Sequence, residues 1–162
     1  MNGRTPNRMI ATIILLGVLG VVGMSICRQM QSRAQIRQIS VQFVAAASSL
    51  NLIQLREYVS DDDKNMLRSS YIESAAKKLA PFKKRTNSKV EVAVNELKTD
   101  GDLAYAYLTS QTMLDDNEKI EEEWVLVCVR EGGAWVVDLE ETLKRGHCPI
   151  DKYVQFKGFR VK

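Results

Sequence analysis

The side chains that could do chemistry are few. The one histidine, His147, stands beside Cys148 and four residues before Asp151. A cysteine nucleophile needs its thiolate turned toward a base, and neighbouring positions on an extended chain point to opposite sides, so His147 and Cys148 do not form a catalytic pair. His147, Cys148 and Asp151 also lack the repeated ligand spacing of zinc sites. Asp61, Asp62 and Asp63 could gather for metal or acid-base work, but they fall where a helix is predicted to start, and negative charge there favours the helix dipole. Lys77, Lys78, Lys83, Lys84, Arg85 and Lys89 form the densest basic run, at a predicted helix C-terminus. Without interleaved aromatics it is no nucleic-acid site, although anionic headgroups fit the same charge. Asp115, Asp116, Glu118 and Glu121 to Glu123 read as an acidic, solvated connector; an acidic and a basic edge on one domain would suit head-to-tail contact. No catalytic residue, cofactor site or metal site is expected.

The 162 residues leave room for one ordinary domain and exclude a multidomain enzyme. All twenty acidic residues lie beyond Cys27, and of the 23 basic residues only Arg4 and Arg8 precede it, so residues 28–162 carry a net charge of +1. That balance excludes a nucleic-acid binder held by bulk charge. Residues 9–27, MIATIILLGVLGVVGMSIC, contain no charge; as a helix at ~1.5 Å per residue they span roughly 28 Å, close to the ~30 Å hydrocarbon core. This predicts a transmembrane anchor with the lipid bilayer as its partner. Gly23 and Ser25 match a signal cleavage site poorly, and Cys27 follows Ile26 rather than the small residue a lipid-attachment site requires, so the anchor should be uncleaved. Gly17, Gly20 and Gly23 do not have the four-residue spacing of the dimerising glycine motif. The amino terminus with Arg4 and Arg8 on one flank balances Arg28, Arg33 and Arg37 on the other. A short basic leader before an apolar run places the N-terminus in the cytoplasm and the C-terminal domain outside it.

The elements that must position everything else follow from periodicity. Ile36, Ile39, Phe43, Ala47 and Leu50 continue a helix out of the anchor. Asn51 breaks or caps it, and Leu52, Leu55 and Val59 share one stripe up to Ser60. Ser60 and Asp63 resemble a capping box that opens a helix with Leu67, Tyr71, Ala75, Leu79 and Phe82 on one face and Pro81 near its end. After Ser88 the period falls to 2: Val90, Val92 and Val94 form a strand, Thr99 to Asp102 a turn, and Leu103 to Thr112 a second strand. Trp124 to Arg130 and Trp135 to Leu139 flank Gly132 and Gly133 in a second hairpin. Helices followed by antiparallel strands predict an α+β domain. The expected boundaries are a basic tail (1–8), the anchor (9–27), a connecting amphipathic helix (28–50), the domain (51–145) and a C-terminal tail (146–162) able to add a strand.

With a tight Gly132–Gly133 turn, Arg130 pairs with Trp135, Cys128 with Val137 and Leu126 with Leu139, placing Trp124, Leu126, Cys128, Trp135, Val137 and Leu139 on the helix side. Val125, Val127, Val129 and Val136 then face outward, joined by Tyr105 and Tyr107, a surface more apolar than an open sheet face requires. Two covers fit: the tail, with Tyr153, Val154, Phe156, Phe159 and Val161, or a partner protein or second copy forming a homo-oligomer. Cys128 and Cys148 could form a disulfide in an oxidising compartment; the alternative for Cys128 is a buried free thiol.

The helix pair ending near Ala80, followed by VEVAVNELKTDGDLAYAYLTS and EEWVLVCVREGGAWVVDLEE, resembles the bacterial membrane-anchored envelope domains of the nuclear-transport-factor-2-like, or cystatin-like, superfamily. The likeness spans roughly residues 33–143 and is most specific at Asp100, Gly101 and Ala104 and at Gly133, Ala134 and Trp135. It implies helices in the concave face of a curved antiparallel sheet. Val136 stands where the family usually has a basic residue, and no isomerase motif of the superfamily carries over. The function expected is a membrane-anchored, extracytoplasmic binding or assembly module of a bacterial inner membrane without catalytic activity. The alternative is a small-molecule or isomerase-like pocket on the same scaffold, which would need ionisable groups converging inside the sheet.

Overall fold

Residues 6–67, 77, 89–113 and 119–149 are described in the computed structural model, with side chains from residue 24 onward except Met66. By internal contacts the chain falls into two compact units, residues 1–34 and 35–162. Helix α1 runs Pro6–Ser48. In the first unit it leaves Met24, Ile26 and Met30 exposed. Among the described residues no helix is long and apolar enough to cross a membrane; the predicted anchor lies mostly at 9–23, outside the described side chains.

In the second unit α1 buries Ile36, Ser40, Phe43, Val44 and Ala47, a stripe with three- and four-residue steps. It ends in a Schellman arrangement: Leu50 N–H donates to Ala47 O (3.0 Å) and Asn51 N–H to Ala46 O (2.8 Å). Leu50 holds the left-handed φ of 54° that such an ending requires. Leucine replaces the usual glycine because its side chain packs on the core. Asn51 then caps α2 (Leu52–Leu55), accepting from Gln54 N–H, and a 3-10 turn (Arg56–Tyr58) follows.

Helix α3 (Asp61–Met66) starts at Ser60, whose hydroxyl accepts from Asp63 N–H at 3.2 Å. The expected capping box is altered. Asp63 does not reach back to Ser60 N–H, which donates instead to Val137 O (3.0 Å); the carboxylate takes the Ser60 hydroxyl at 2.7 Å. The longer helix predicted here closes at buried Leu67, whose N–H donates to Asp63 O. Tyr71, Ala75, Leu79, Pro81 and Phe82 lie outside the described residues, as do the basic run except Lys77 and Lys89, and Asp115, Asp116 and Glu118.

Strands β1 (Val90–Asp100), β2 (Leu103–Met113), β3 (Lys119–Glu131) and β4 (Ala134–Val137) form one antiparallel sheet in that order. The chain is α+β, as its periodicity predicts. β1 and β2 run further into their turn than expected: the loop is Gly101–Asp102 alone, with Gly101 at φ 59°, the conformation that a two-residue hairpin with glycine first requires. A bulge between Val94 and Glu96 changes the phase of β1, keeping Val92, Val94 and Leu97 all on the core. Glu121 to Glu123 belong to β3 rather than to a connector, because they pair with Gln111, Ser110 and Thr109.

The second hairpin turns at Gly132 and Gly133, φ 56° and 88°, and pairs Arg130 with Trp135 and Cys128 with Val137 as expected. The expected Leu126–Leu139 pair does not form. Asp138 ends the strand and caps α4 (Leu139–Arg145), accepting from Glu141 N–H at 2.8 Å. The chain rejoins the sheet at His147, which exchanges two hydrogen bonds with Val125 (2.9 and 3.0 Å). Between these points the Thr142 hydroxyl stands in for a strand: it accepts from Val127 N–H at 2.9 Å and donates to Val127 O at 3.4 Å.

Gly146 makes that return possible. A Cβ at this position would lie 2.1 Å from Val125 O and 2.8 Å from Thr142 O, both backbone atoms that cannot move without breaking the bridge. Gly146→Ala should therefore cost about 1–3 kcal/mol and lower the urea midpoint; an unchanged midpoint would show that the return from α4 to β3 tolerates a side chain.

Candidate functional site

The inward face of the sheet is filled by packing. Ala104, Ala106, Leu108, Trp124, Leu126 and Cys128 join one core with Ile36, Phe43 and Val44 of α1. All six residues of β3 and β4 assigned to the helix side are buried, Leu139 from the first turn of α4 rather than from a strand. The polar groups here serve each other: Trp124 Nε1–H donates to Ser110 Oγ at 2.9 Å, and Ser40 Oγ lies 3.7 Å from Cys128 Sγ. Ser48 Oγ and Trp135 Nε1 are buried without a partner, each at a desolvation cost of about 1–3 kcal/mol.

The ionisable groups buried among the described residues are structural. Asp63, 2% exposed, accepts from the Ser60 hydroxyl and from Leu139 N–H, both at 2.7 Å, tying α3 to the start of α4. Burial raises its pKa above the ordinary aspartate value of 3.8, against the lowering effect of these bonds. Burial also pushes the Cys128 thiol up to about 11, which removes its nucleophilic form at neutral pH. Cys128 and Cys148 are both buried and share no disulfide, so the candidate bridge is not formed in the structure. His147 exchanges backbone hydrogen bonds with Val125 and is exposed. No group of three potential metal ligands occurs among the described residues.

The outward face is where side chains remain available. Its register brings together the residues singled out by strand phase: Leu103 pairs with Val129 and Val129 with Val136, Tyr105 with Val127, and Tyr107 with Val125. Tyr105, Tyr107, Val125, Val129 and Val136 are half-buried. Val127 is the departure, at 1% exposed, so it is covered rather than available. The patch has a charged margin on β1. Glu96 pairs with Tyr107 and Lys98 with Tyr105; Lys98 Nζ sits 3.3 Å from Glu96 and 4.9 Å from the centre of the Tyr107 ring. Toward the other end the face turns polar, with a shallow depression of about 290 Å³ lined by Glu91, Val92, Ala93, Thr109 and Gln111. One face therefore carries an apolar, aromatic half and a wet half of mixed charge, where Glu91 pairs with Lys89 and Lys119 shares the phase of Glu121 and Glu123.

Sequence reasoning missed α4 and the carboxylate of Asp63 that serves it. The signal for α4 was present as Asp138 followed three residues later by Glu141, a cap pattern hidden by the apolar alternation running up to Leu139. Nothing in the sequence pairs Asp63 with Leu139, 76 residues away.

No protein-family model matches the chain. No curated protein matches it. Among solved structures it is similar to a conserved protein from Planctomyces limnophilus DSM 3776, known from a crystal structure, at 13% identity and a TM-score of 0.45, over 67% of this chain and 91% of that one.

Two outcomes check this geometry. The raised pKa means the folded chain holds the Asp63 proton more tightly than the unfolded chain. Its stabilising contribution is present at low pH and is lost as pH rises from 3.8 through the folded value. Asp63→Asn, which keeps an acceptor without the charge, should gain on the wild type as pH rises in denaturation curves, whereas Asp63→Ala should cost about 1–3 kcal/mol by orphaning Leu139 N–H and the Ser60 hydroxyl. A wild-type-to-Asn difference that is flat with pH would remove the buried-carboxylate account. In detergent, a maleimide should modify exposed Cys27 rapidly and Cys128 only after denaturation; equal native rates would mean the α1–sheet contact opens.

Proposed function

We propose that the chain is a membrane-anchored binding or assembly module whose work is done by the outward face of its sheet. The anchor is the uncharged stretch 9–27, the domain lies on the extracytoplasmic side of a bacterial inner membrane, and the partner is a protein or a second copy of the chain. The arrangement of α1 against the inward face of a four-stranded antiparallel sheet is compatible with the cystatin-like architecture that the sequence resembles.

The observation that carries this reading is the contrast between the two faces. The inward face is packed with alanine, leucine, tryptophan and cysteine, and the buried carboxylate beside it is engaged in capping. The outward face keeps Tyr105, Tyr107, Val125, Val129 and Val136 half-exposed as a contiguous patch. Aromatic rings with polar tips set among β-branched residues give large contact area at low entropy cost, the composition of protein interfaces. A pocket enzyme would require the opposite distribution, with ionisable groups converging inward.

The test is chemical crosslinking of the full chain in its native membranes, compared with Tyr107→Lys and Val136→Lys, both on half-exposed positions where a lysine can reach water. Each should reduce intermolecular adducts at least fivefold while leaving the chain folded and membrane-associated. Adducts unchanged in both variants would exclude this face as the docking surface, and release of the chain by alkaline carbonate would exclude the anchor.

A further inference from the structure

Among the described strands β1 lies at the outer edge of the sheet, and its outward side chains are ordered by charge. Glu91 and Ala93 pair with Gln111 and Thr109 of β2, and Glu96, Lys98 and Asp100 pair with Tyr107, Tyr105 and Leu103. These residues share one face, odd-numbered before the bulge and even-numbered after it, because the bulge between Val94 and Glu96 inserts a residue. Lys89, two positions before Glu91 and bonded to its carboxylate at 2.8 Å, continues the row.

A bulge and a row of charges turn away an ordinary strand. An unbulged strand that matches one half of β1 is out of phase with the other half. A second copy of β1 has no such conflict. Turned antiparallel about a two-fold axis between Val94 and Asn95, it brings Asp100 opposite Lys89 and Lys98 opposite Glu91, and by symmetry each pair forms twice. Ala93, beside the shallow depression on this face, comes opposite Glu96 and leaves room for its longer side chain. On the helix side Val92 comes opposite Leu97, both already packed at the margin of the core.

The backbone suits the same register. Lys89 O accepts from Met113 N–H, and the two-residue turn makes Asp100 and Leu103 a hydrogen-bonded pair. The N–H and C=O groups of Val90 and Thr99 therefore point away from β2. The axis sets Val90 opposite Thr99, which closes the new ladder at both ends. Sliding the second copy by two residues destroys the charge match. In one direction Lys89 meets Lys98 and Glu91 meets Glu96; in the other Glu91 meets Asp100.

We propose that β1 pairs with β1 of a second copy in this register, a homodimer in which one sheet runs through both chains. The pairing goes beyond the docking reading and does not depend on it: the two outward faces come side by side, and Tyr105, Val125, Val129 and Val136 stay outside the new ladder.

The test is the mass of the full-length chain in detergent, by light scattering behind size exclusion. The wild type should be a dimer. Glu91→Lys and Lys98→Glu, both at exposed positions, each set like charges across the axis and should weaken the dimer at least tenfold. The double variant restores opposite charges and should return the affinity to within threefold of the wild type. Within one chain the two positions lie ~23 Å apart along the strand, so only a contact across the axis can carry the rescue. In a Cys27→Ser background, a mixture of Glu91→Cys and Lys98→Cys chains should oxidise to a two-chain adduct that neither forms alone. Val136→Lys, on the far strand, should leave the dimer intact, which separates it from a contact through the outward face. A monomeric wild type, single reversals without effect, a double variant that fails to recover, no mixed adduct, or a dimer lost in Val136→Lys each overturns the edge pairing.

Discussion

The second compact unit depends on the contact between the buried stripe of α1 and the inward side chains of β2 and β3. Ile36, Phe43 and Val44 share a core with Ala104, Ala106, Leu126 and Cys128, all essentially inaccessible to water. Alanines at successive inward positions of β2 leave room for the bulk of Phe43 and Trp124, which join them in one core. Because side chains alternate along a strand, filling one face with these residues commits Tyr105, Tyr107, Val125, Val127 and Val129 to the other. The site is thus a consequence of the core.

Around this contact the structure deals with polar backbone in two ways. At the junction of α3, β4 and α4, Asp63 gathers the Ser60 hydroxyl and Leu139 N–H, while Ser60 N–H goes to Val137 O, so each of these three donors at the helix starts has an acceptor. At the edges of the sheet, β1 carries a bulge and the exposed pairs Lys89–Glu91 and Lys98–Glu96, features that discourage pairing with another strand. The edge of β3 beyond β4 is closed by Thr142 and His147. Among the described strands the broad outward face, rather than an edge, keeps its tyrosine and valine side chains half-exposed.

Some of this was legible residue by residue. The alternation of Leu103 to Thr112 and Trp124 to Arg130 gave the strands, the glycines at 101, 132 and 133 the turns, and Ser60 and Asn51 the helix starts, because each is a local preference expressed within a few residues. Apolar alternation through Leu139 misled, since it cannot distinguish a fifth strand residue from the first turn of a helix whose cap lies just before it. The acidic residues 121–123 looked like loop because their pairing partners lie ten to fourteen positions away on β2. The covered state of Val127 was invisible, as its type and phase match those of Val125 and Val129.

The sequence alone determined the α+β class, the register of the Gly132–Gly133 hairpin and the sorting of strand residues into two faces, because periodicity and turn conformation are properties of contiguous chain. Only the tertiary structure decided that Asp63 would serve α4, that Thr142 would replace a strand at Val127, and that Cys128 would rest against Ser40 instead of bridging to Cys148. Those outcomes depend on which distant groups meet when the faces close, where a buried donor left without an acceptor costs about 1–3 kcal/mol.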